Sequence, residues 1–574
     1  MHAVMVKHDA QPYQFYEAAG RLYSPKNEWL KENLGFTVQE ALATMRAISD
    51  TVQLRLTREI ERATQGFTPA MIQETKFSDV SLQALDRNPD LAVLTEEEIA
   101  AACNVSREAC TAVLRRFSQH VEERLCEDSS GTTLDPLELP FEFNEIYARP
   151  LVEIGGRYVC PQLIQLYEAV FLSLHFDLMG DTSVQGSYGN DRGIWLEQAA
   201  ADYLRNVFGS DAVCVNPYRD DGNELCDVLV YYDNIVIVVS CKAKMLTALA
   251  EYGNDAAKLK DDLQKGIGDS CTQVEGALAY LQHSDPVNVF HPNGELWTTV
   301  KSRELDAVFP VYVLPNSYQN LTINVRDILS GLGRRVDADT LPWIVSVFDL
   351  QNVAEILDES PAVFLHYLVR RREMALAPTH VGGEEMDLLG NYLSQGLYFG
   401  RGSGYSDFGV VSFFNYSAGI DAYLGTVHGL GMDAQKPRSG SPFVLSGLAA
   451  EIMQTEAAHR TLSLLRLLDL DGTDQTTFLD HITSCREQTL VTTKPYFYRV
   501  GVKRGLTMSI ITYCSAMGGT SAAVEQARDW ARERLEPHQR GTWEWVCFVG
   551  DVAGGARVQS VIYVPPHEAC ERLV

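Results

Sequence analysis

The stretch GNELCDVLVYYDNIVIVVSCKAK, residues 222–244, constrains the fold more than any other part of the chain. Two runs of β-branched and aromatic residues flank an Asp-Asn pair at 233–234, which predicts a β-hairpin with a two-residue turn. On a hairpin of this length the start of the first strand lies beside the end of the second, so we expect Asp227 and Lys242 to converge. Because side chains alternate between the two faces of a strand, Ser240 and Lys242 should share one face.

Helical and extended patterns alternate around this hairpin. GIWLEQAAADYLRNVFG is an amphipathic helix pattern, VCVNPY is a strand pattern, and DDLQKGIGDSCTQVEGALAYLQH is a long helix pattern. FPVYVLP and LPWIVSVFDL add two buried strands. This alternation predicts an α/β fold.

The sequence divides into four predicted parts. Residues 1–140 form a mostly helical N-terminal region, and residues 141–185 form a connecting hairpin and helix. Residues 186–373 form the central α/β domain. Residues 374–574 form a C-terminal α/β region to which the sequence assigns no role, and its glycine-rich part, 374–440, is predicted as loops and short strands.

The N-terminal region contains a candidate helix-turn-helix in LTEEEIAAACNVSREACTAVLRRFS, residues 94–118. Thr95 and Glu98 form a capping-box pattern, a short break follows at 104–106, and a second amphipathic helix begins there. A helix-turn-helix would place the second helix against DNA. The glutamates near both helix starts favour a plain helical hairpin, and both interpretations stay open.

Composition excludes several classes of protein. The chain has 574 residues, 46% of them hydrophobic and 22% charged, with a formal net charge of −28, which is typical of globular proteins. We expect a soluble cytoplasmic protein without a membrane span, because no basic start precedes an apolar run and no uninterrupted apolar run approaches roughly 18 residues. Twelve cysteines without a CxxC pair favour neither a zinc site nor a disulfide framework. Phosphate-loop and nucleophile-elbow motifs are also lacking.

The hairpin resembles the active-site hairpin of the PD-(D/E)XK nuclease superfamily, which has the restriction-endonuclease-like fold, and the resemblance extends over about 186–373. It implies a mixed sheet flanked by helices and a bound Mg²⁺ or Mn²⁺. It also implies that Asp227 binds the cation and that Lys242 orients or activates the attacking water. Glu197, just after the glycine-containing loop GSYGNDRG, matches the helix glutamate that many members place at the metal.

Gln273 adds to this resemblance. It lies on the later helix with Tyr280 seven residues on, and it resembles the Gln-Tyr helix motif of RecB-like members, although the spacing differs from QxxxY. The resemblance therefore implies a catalytic group of Asp227, Lys242, Ser240 and Gln273.

Ser240 departs from the family pattern, because it stands where the motif has a second acid and cannot supply a carboxylate. Some restriction enzymes of the family show the same SxK pattern and take the missing acid from the following helix. Asp255, 13 residues after Lys242, is the first candidate replacement and a predicted metal ligand with Asp227 and Glu197. Glu251 is the second candidate and Glu224 the third.

The implied function is metal-dependent endonuclease activity on DNA, in bacterial antiviral defence or DNA processing. RNA is not excluded as a substrate, and a protein partner or homo-oligomer is compatible with the sequence. The alternative is a catalytically degenerate nuclease-fold protein that acts as a nucleic-acid-binding or assembly subunit.

Overall fold

A computed structural model describes most of the chain. The described residues are 10–65, 88–120, 145–246, 256–318, 320–399, 409–429, 433–438, 446–470, 472–492, 494–501, 506–513, 522, 524–527, 529, 544–552 and 557–564. The fold is a multidomain mixed α/β fold with several small sheets, as predicted from the sequence. No helix among the described residues is long and apolar enough to span a membrane.

The chain divides into two compact units. The first contains residues 1–196 and 243–263, and the second contains residues 197–242 and 264–574. The four-part division drawn from the sequence stays a prediction.

The described helices include long amphipathic segments and shorter connecting ones. In chain order they are α1 Pro12–Tyr23, α2 Asn27–Leu34, α3 Val38–Ala63, α4 Glu96–Ala102, α5 Arg107–Phe117, α6 Gln165–Gly180, α7 Gln185–Phe208, α8 Ala256–Leu263, α9 Asp269–His283, α10 Asn320–Ile323, α11 Val325–Gly331, α12 Val347–Leu357, α13 Pro361–Leu376, α14 Glu385–Gln395, α15 Ala418–Val427, α16 Ser446–Met453, α17 Arg460–Leu468 and α18 Gly472–Thr492.

The described strands form five sheets. They are β1 Val93–Thr95, β2 Ser118–His120, β3 Leu151–Ile154, β4 Arg157–Val159, β5 Val213–Val215, β6 Val228–Tyr232, β7 Ile235–Cys241, β8 Val287–Phe290, β9 Leu296–Val300, β10 Ala307–Leu314, β11 Trp343–Ser346, β12 His380–Gly382, β13 Val410–Ser412, β14 Tyr496–Gly501, β15 Leu506–Tyr513, β16 Glu544–Asp551 and β17 Ser560–Val564.

The first unit is mostly helical. Thr37 caps the N-terminus of helix α3. Its hydroxyl accepts a hydrogen bond from the Glu40 amide, and the Glu40 carboxylate accepts one from the Thr37 amide, which together form a capping box. Helices α1, α3 and α6 bury their apolar faces against one another. A four-stranded sheet in the order β1-β4-β3-β2 completes the unit. The hairpin predicted within 141–185 is β3–β4, which turns at Gly155 and Gly156.

The second unit is built on a five-stranded mixed sheet in the order β11-β10-β7-β6-β5. Strand β6 pairs antiparallel with both β5 and β7, whereas β10 pairs parallel with β7 and β11 pairs parallel with β10. Strand β7 is buried along its whole length, as its apolar run requires at the centre of a sheet.

The predicted hairpin is confirmed. Asp233 and Asn234 both have positive φ, 47° and 63°, which is the type I′ turn that matches the twist of the two strands. Strands β6 and β7 pair from Tyr232–Ile235 to Val228–Val239. The start of β6 therefore lies beside the end of β7.

Two local sequence predictions were wrong. The segment GSYGNDRG, residues 186–193, lies inside α7 and is not a loop, because Tyr188 and Arg192 are buried on one face of a continuous helix. Residues 374–440 contain helices α14 and α15 in addition to loops and short strands. Apolar residues at helical spacing, including Met386, Leu389 and Leu393, outweigh the glycines there.

A second sheet lies near the C-terminus. Its order is β14-β15-β16-β17, with β15 and β16 parallel and the outer pairs antiparallel. Leu464, Phe478, Val546 and Phe548 are buried in a common core between this sheet and helices α17 and α18. The sequence predicts strands in LTMSIITYC, WEWVCFVG and VQSVIYVP, and β15, β16 and β17 confirm them. It also predicts a helix in TSAAVEQARDWARERL, residues 520–535, most of which lies outside the described residues.

Candidate active site

Gln273 on α9 connects three residues of the hairpin. Its Nε2 donates to Asp227 Oδ1 at 2.6 Å. Its Oε1 accepts from Ser240 Oγ at 2.6 Å and from Lys242 Nζ at 2.7 Å. The four predicted catalytic residues, Asp227, Ser240, Lys242 and Gln273, are therefore brought together by one amide group.

Asp227 is fixed from three sides. Its Oδ2 accepts a hydrogen bond from the Cys241 amide and lies 3.7 Å from Lys242 Nζ, while its Oδ1 is held by Gln273. The residue is only 5% exposed, but the Lys242 side chain is 27% exposed. The carboxylate is thus rigidly placed, whereas the ammonium group still reaches solvent.

Ser240 and Lys242 share a face, as the alternation along β7 predicts, since both contact the same Gln273 oxygen. Ser240 is fully buried, and its hydroxyl oxygen also lies 3.1 Å from Ser270 Oγ, which donates to the Gly266 carbonyl. The position of the missing acid is therefore occupied by a hydroxyl group that orients Gln273.

The backbone before α9 sets the rotation of Gln273. Residues Gln264–Gly268 form a π-helical turn that runs directly into α9. Such turns shift the helical register and are frequent at functional sites. A Cβ at Gly266 would lie 3.0 Å from Tyr318 Oη, so glycine permits this close approach.

Two further acids surround Asp227. Desolvation, followed by the negative charges of Asp227 and Glu197, raises the pKa of Glu224. Desolvation also raises the pKa of Glu197; the Asp227 charge acts in the same direction, and Asn216 and Lys242 oppose it. Three carboxyl groups therefore interact electrostatically in a partly desolvated place.

Asn216 supports Glu197 from the end of β5. Its Nδ2 donates to Glu197 Oε2 at 3.1 Å, and its backbone N–H donates to the Asp227 carbonyl at 2.8 Å. The residue adopts a φ of 47°, which L-residues rarely do outside functional or turn positions. Its Oδ1 is buried and has no hydrogen-bond partner among the described residues.

The other predicted residues lie elsewhere. Asp255 and Glu251 are outside the described residues. Tyr280 does not join the Gln273 network, because its hydroxyl lies 3.1 Å from Asp220 Oδ1 and 3.0 Å from the Asn288 carbonyl oxygen.

Within the described parts of the chain, no group of three or more His, Cys, Asp or Glu side chains is close enough to hold a metal ion by such residues alone. The site instead contains two interacting carboxyl groups, those of Asp227 and Glu224. Glu197, which accepts a hydrogen bond from Asn216, also interacts with Asp227. Sequence reasoning ranked Glu224 third and missed Asn216, although the Asn-Pro pair directly after a strand signals a special backbone position.

Comparison with known proteins gives no relative. No protein-family model, no curated protein and no solved structure matches the chain.

Proposed function

We propose that the chain is a metal-dependent nuclease of the PD-(D/E)XK type that hydrolyses DNA phosphodiesters in the cytoplasm. The observation that carries the proposal is the single network in which Gln273 holds both Asp227 and Lys242, with Glu224 beside Asp227. The five-stranded mixed sheet that presents this network supports the same resemblance.

The donor set fits a hard divalent cation. Desolvation, then the negative charges of Asp227 and Glu197, raises the pKa of Glu224, and a divalent cation would offset the repulsion between these carboxylates. Mg²⁺ is usually held by one or two carboxylates and completed by water and phosphate oxygens. Asp227 and Glu224 would supply the two carboxylates, and Asn216, whose Nδ2 is bound by Glu197, would supply a further oxygen atom through its Oδ1.

A cation at these oxygens would supply positive charge for the charge that develops on the phosphate during hydrolysis. Lys242 is placed to act beside it, because Gln273 draws the ammonium group to the Asp227 carboxylate while part of the side chain stays exposed. An ammonium group there can contact a phosphate oxygen or orient the attacking water. Ser240 would act through Gln273, as a positioning residue.

The second candidate is a nuclease-fold protein without catalysis, which binds nucleic acid or assembles with a partner. Ser240 favours it, because a buried hydroxyl stands where the family motif has a second acid. The two candidates differ in whether DNA is cut, so one assay separates them.

The test is incubation of purified protein with linear, circular and single-stranded DNA and with RNA, in Mg²⁺ or Mn²⁺ and in EDTA. We expect metal-dependent cleavage that Asp227→Ala and Lys242→Ala each reduce by at least 100-fold, about 2.7 kcal/mol of transition-state stabilisation. Lys301→Ala is the matched control, because Lys301 is a lysine of the same unit that is 60% exposed and pairs with Glu304.

Cleavage that the two active-site variants retain would contradict the proposed site. Absence of cleavage in every condition would favour the binding or assembly subunit. Cleavage of RNA in place of DNA would keep the site and change the substrate class.

A further inference from the structure

The first unit contains two helices, α4 and α5, that are joined by a short turn and connected to a sheet. Helices α4 and α5 are joined by the four residues 103–106, a turn length typical of a helix-turn-helix. Strand β1 leads directly into α4, and it pairs antiparallel with β4 of the β3–β4 hairpin. This hairpin, residues 151–159, is called the wing below; its tip, Ile154–Arg157, is exposed.

Helix α5 has one buried face and one open face. Cys110, Val113, Leu114 and Phe117 are buried, with α3 as the main neighbouring helix. The opposite face carries Arg107, Thr111 and Arg115 at intervals of four residues, in a row about 12 Å long at 1.5 Å per residue. A helix whose inner face is fixed in this way presents its outer row rigidly.

The open face of α5, defined here by Arg107, Thr111, Ala112 and Arg115, borders two grooves of roughly 390 and 670 Å³. Arg115 lines both grooves.

Basic residues predominate along these grooves. Arg116 and Arg149 join Arg115 in the larger groove, where Asp177 is the acid and binds Arg116 through two hydrogen bonds of 2.9 Å. Among the residues that line the two grooves, four arginines stand against two acids, Glu108 and Asp177, whereas the whole chain has a formal charge of −28.

Acidic residues border this face: Glu108 lines the smaller groove, and Glu96 at the start of α4 accepts a hydrogen bond of 2.6 Å from the Thr111 hydroxyl. Glu98 is bound by Arg55 at 2.6 Å and by the Thr95 amide, and Glu97 lies 3.2 Å from Arg107. Arg107 remains 67% exposed in that pair, so it can exchange the carboxylate for a phosphate.

We propose that the open face of α5 is a binding surface for double-stranded DNA, with α5 in the major groove and the wing beside the backbone. An α-helix fits the major groove, which is about 12 Å wide, and the second helix of a helix-turn-helix makes this contact. Arginine side chains donate to base edges and phosphates, and they supply the positive charge that duplex DNA attracts. The glycine tip and Arg157 of the wing offer a second contact along the duplex.

This inference does not rest on the proposed nuclease. The surface lies wholly in the first unit, whereas the candidate active site lies in the second. Binding is therefore measured in EDTA, where metal-dependent cleavage cannot occur. A failure of DNA binding can then be distinguished from a failure of cleavage.

The test uses the full chain and fluorescence anisotropy with a pool of 30-base-pair duplexes of random sequence, over a series of salt concentrations. We expect duplex binding that Arg107→Ala/Arg115→Ala weakens at least tenfold. The slope of log affinity against log salt should become shallower by about 2, because two phosphate contacts are lost. Arg46→Ala is the matched control, since Arg46 is 64% exposed on α3 and should leave the affinity unchanged.

Both arginines are exposed, so the thermal unfolding midpoint of the double variant should equal that of the wild type. Absence of duplex binding, or a double variant that binds as the wild type does, would overturn the proposal. An equal loss of duplex affinity in Arg46→Ala would also overturn it.

Discussion

Removal of the Gln273 amide is the perturbation that most clearly tests how the site is held together. In Gln273→Leu, the side-chain volume is nearly kept, but Asp227 Oδ1 loses a donor at 2.6 Å and Lys242 loses an acceptor at 2.7 Å. A hydrogen bond to a charged group contributes about 1.5–3 kcal/mol. Ser240 retains its neighbour Ser270, so its loss is smaller.

We therefore expect the β6–β7 hairpin to lose about 1.5–3 kcal/mol of local stability in Gln273→Leu, with the lower value if water reaches the partly exposed Lys242. Hydrogen exchange measures this loss in the hairpin directly, including the Cys241 amide that donates to Asp227. Protection of these amides should fall about 10- to 150-fold.

A double-mutant cycle isolates the contact. Gln273→Leu combined with Asp227→Ala should show a coupling energy of at least about 1 kcal/mol, because each variant removes one partner of a direct hydrogen bond. Ser240→Ala is the milder control and should cost about 1 kcal/mol or less. A loss below about 0.5 kcal/mol in Gln273→Leu, with no coupling to Asp227, would refute this account of the network.

Two further predictions concern stability. Burial, then the positive charges of Arg192 and Lys244, lowers the pKa of His175 to about 3. Below about pH 6.5, the ordinary pKa of histidine, the unfolded chain therefore binds a proton at His175 that the folded chain does not bind. The free energy of unfolding should therefore fall between pH 8 and pH 5, and the fall should be about 2 kcal/mol larger in the wild type than in His175→Gln. Urea unfolding at the two pH values measures this, and equal losses in both proteins would contradict it. Gly390→Ala should lose about 1–3 kcal/mol, because the new Cβ would lie 2.1 Å from a backbone carbonyl oxygen, whereas Gly419→Ala, with open space around it, should lose nothing. Thermal unfolding of the two variants tests this, and equal midpoints would disagree with the packing.

Local sequence signals predicted the hairpin correctly, because turn residues and strand alternation act over a few residues. The turn at 233–234 and the shared face of Ser240 and Lys242 depend only on such signals. The contact of Asp227 with Lys242 follows from strand length. These features needed no knowledge of the remaining chain.

The rest depends on tertiary packing that the sequence does not reveal. Glu224 reaches Asp227 because the segment after β5 folds back, with the Asn216 amide bonded to the Asp227 carbonyl. Gln273 faces the hairpin because a π-helical turn at 264–268 precedes its helix. Glycines in 374–440 led to a prediction of loops and short strands, although apolar spacing within that segment supports helices.

The proposed activity depends on cation binding by Asp227 and Glu224, since Ser240 supplies no carboxylate. Isothermal titration of Mn²⁺ into the full chain measures this directly. We predict a site whose affinity falls at least tenfold, about 1.4 kcal/mol, in both Asp227→Asn and Glu224→Gln, and is unchanged in the exposed control Glu304→Gln. No Mn²⁺ binding, or binding that both active-site variants retain, would contradict the account.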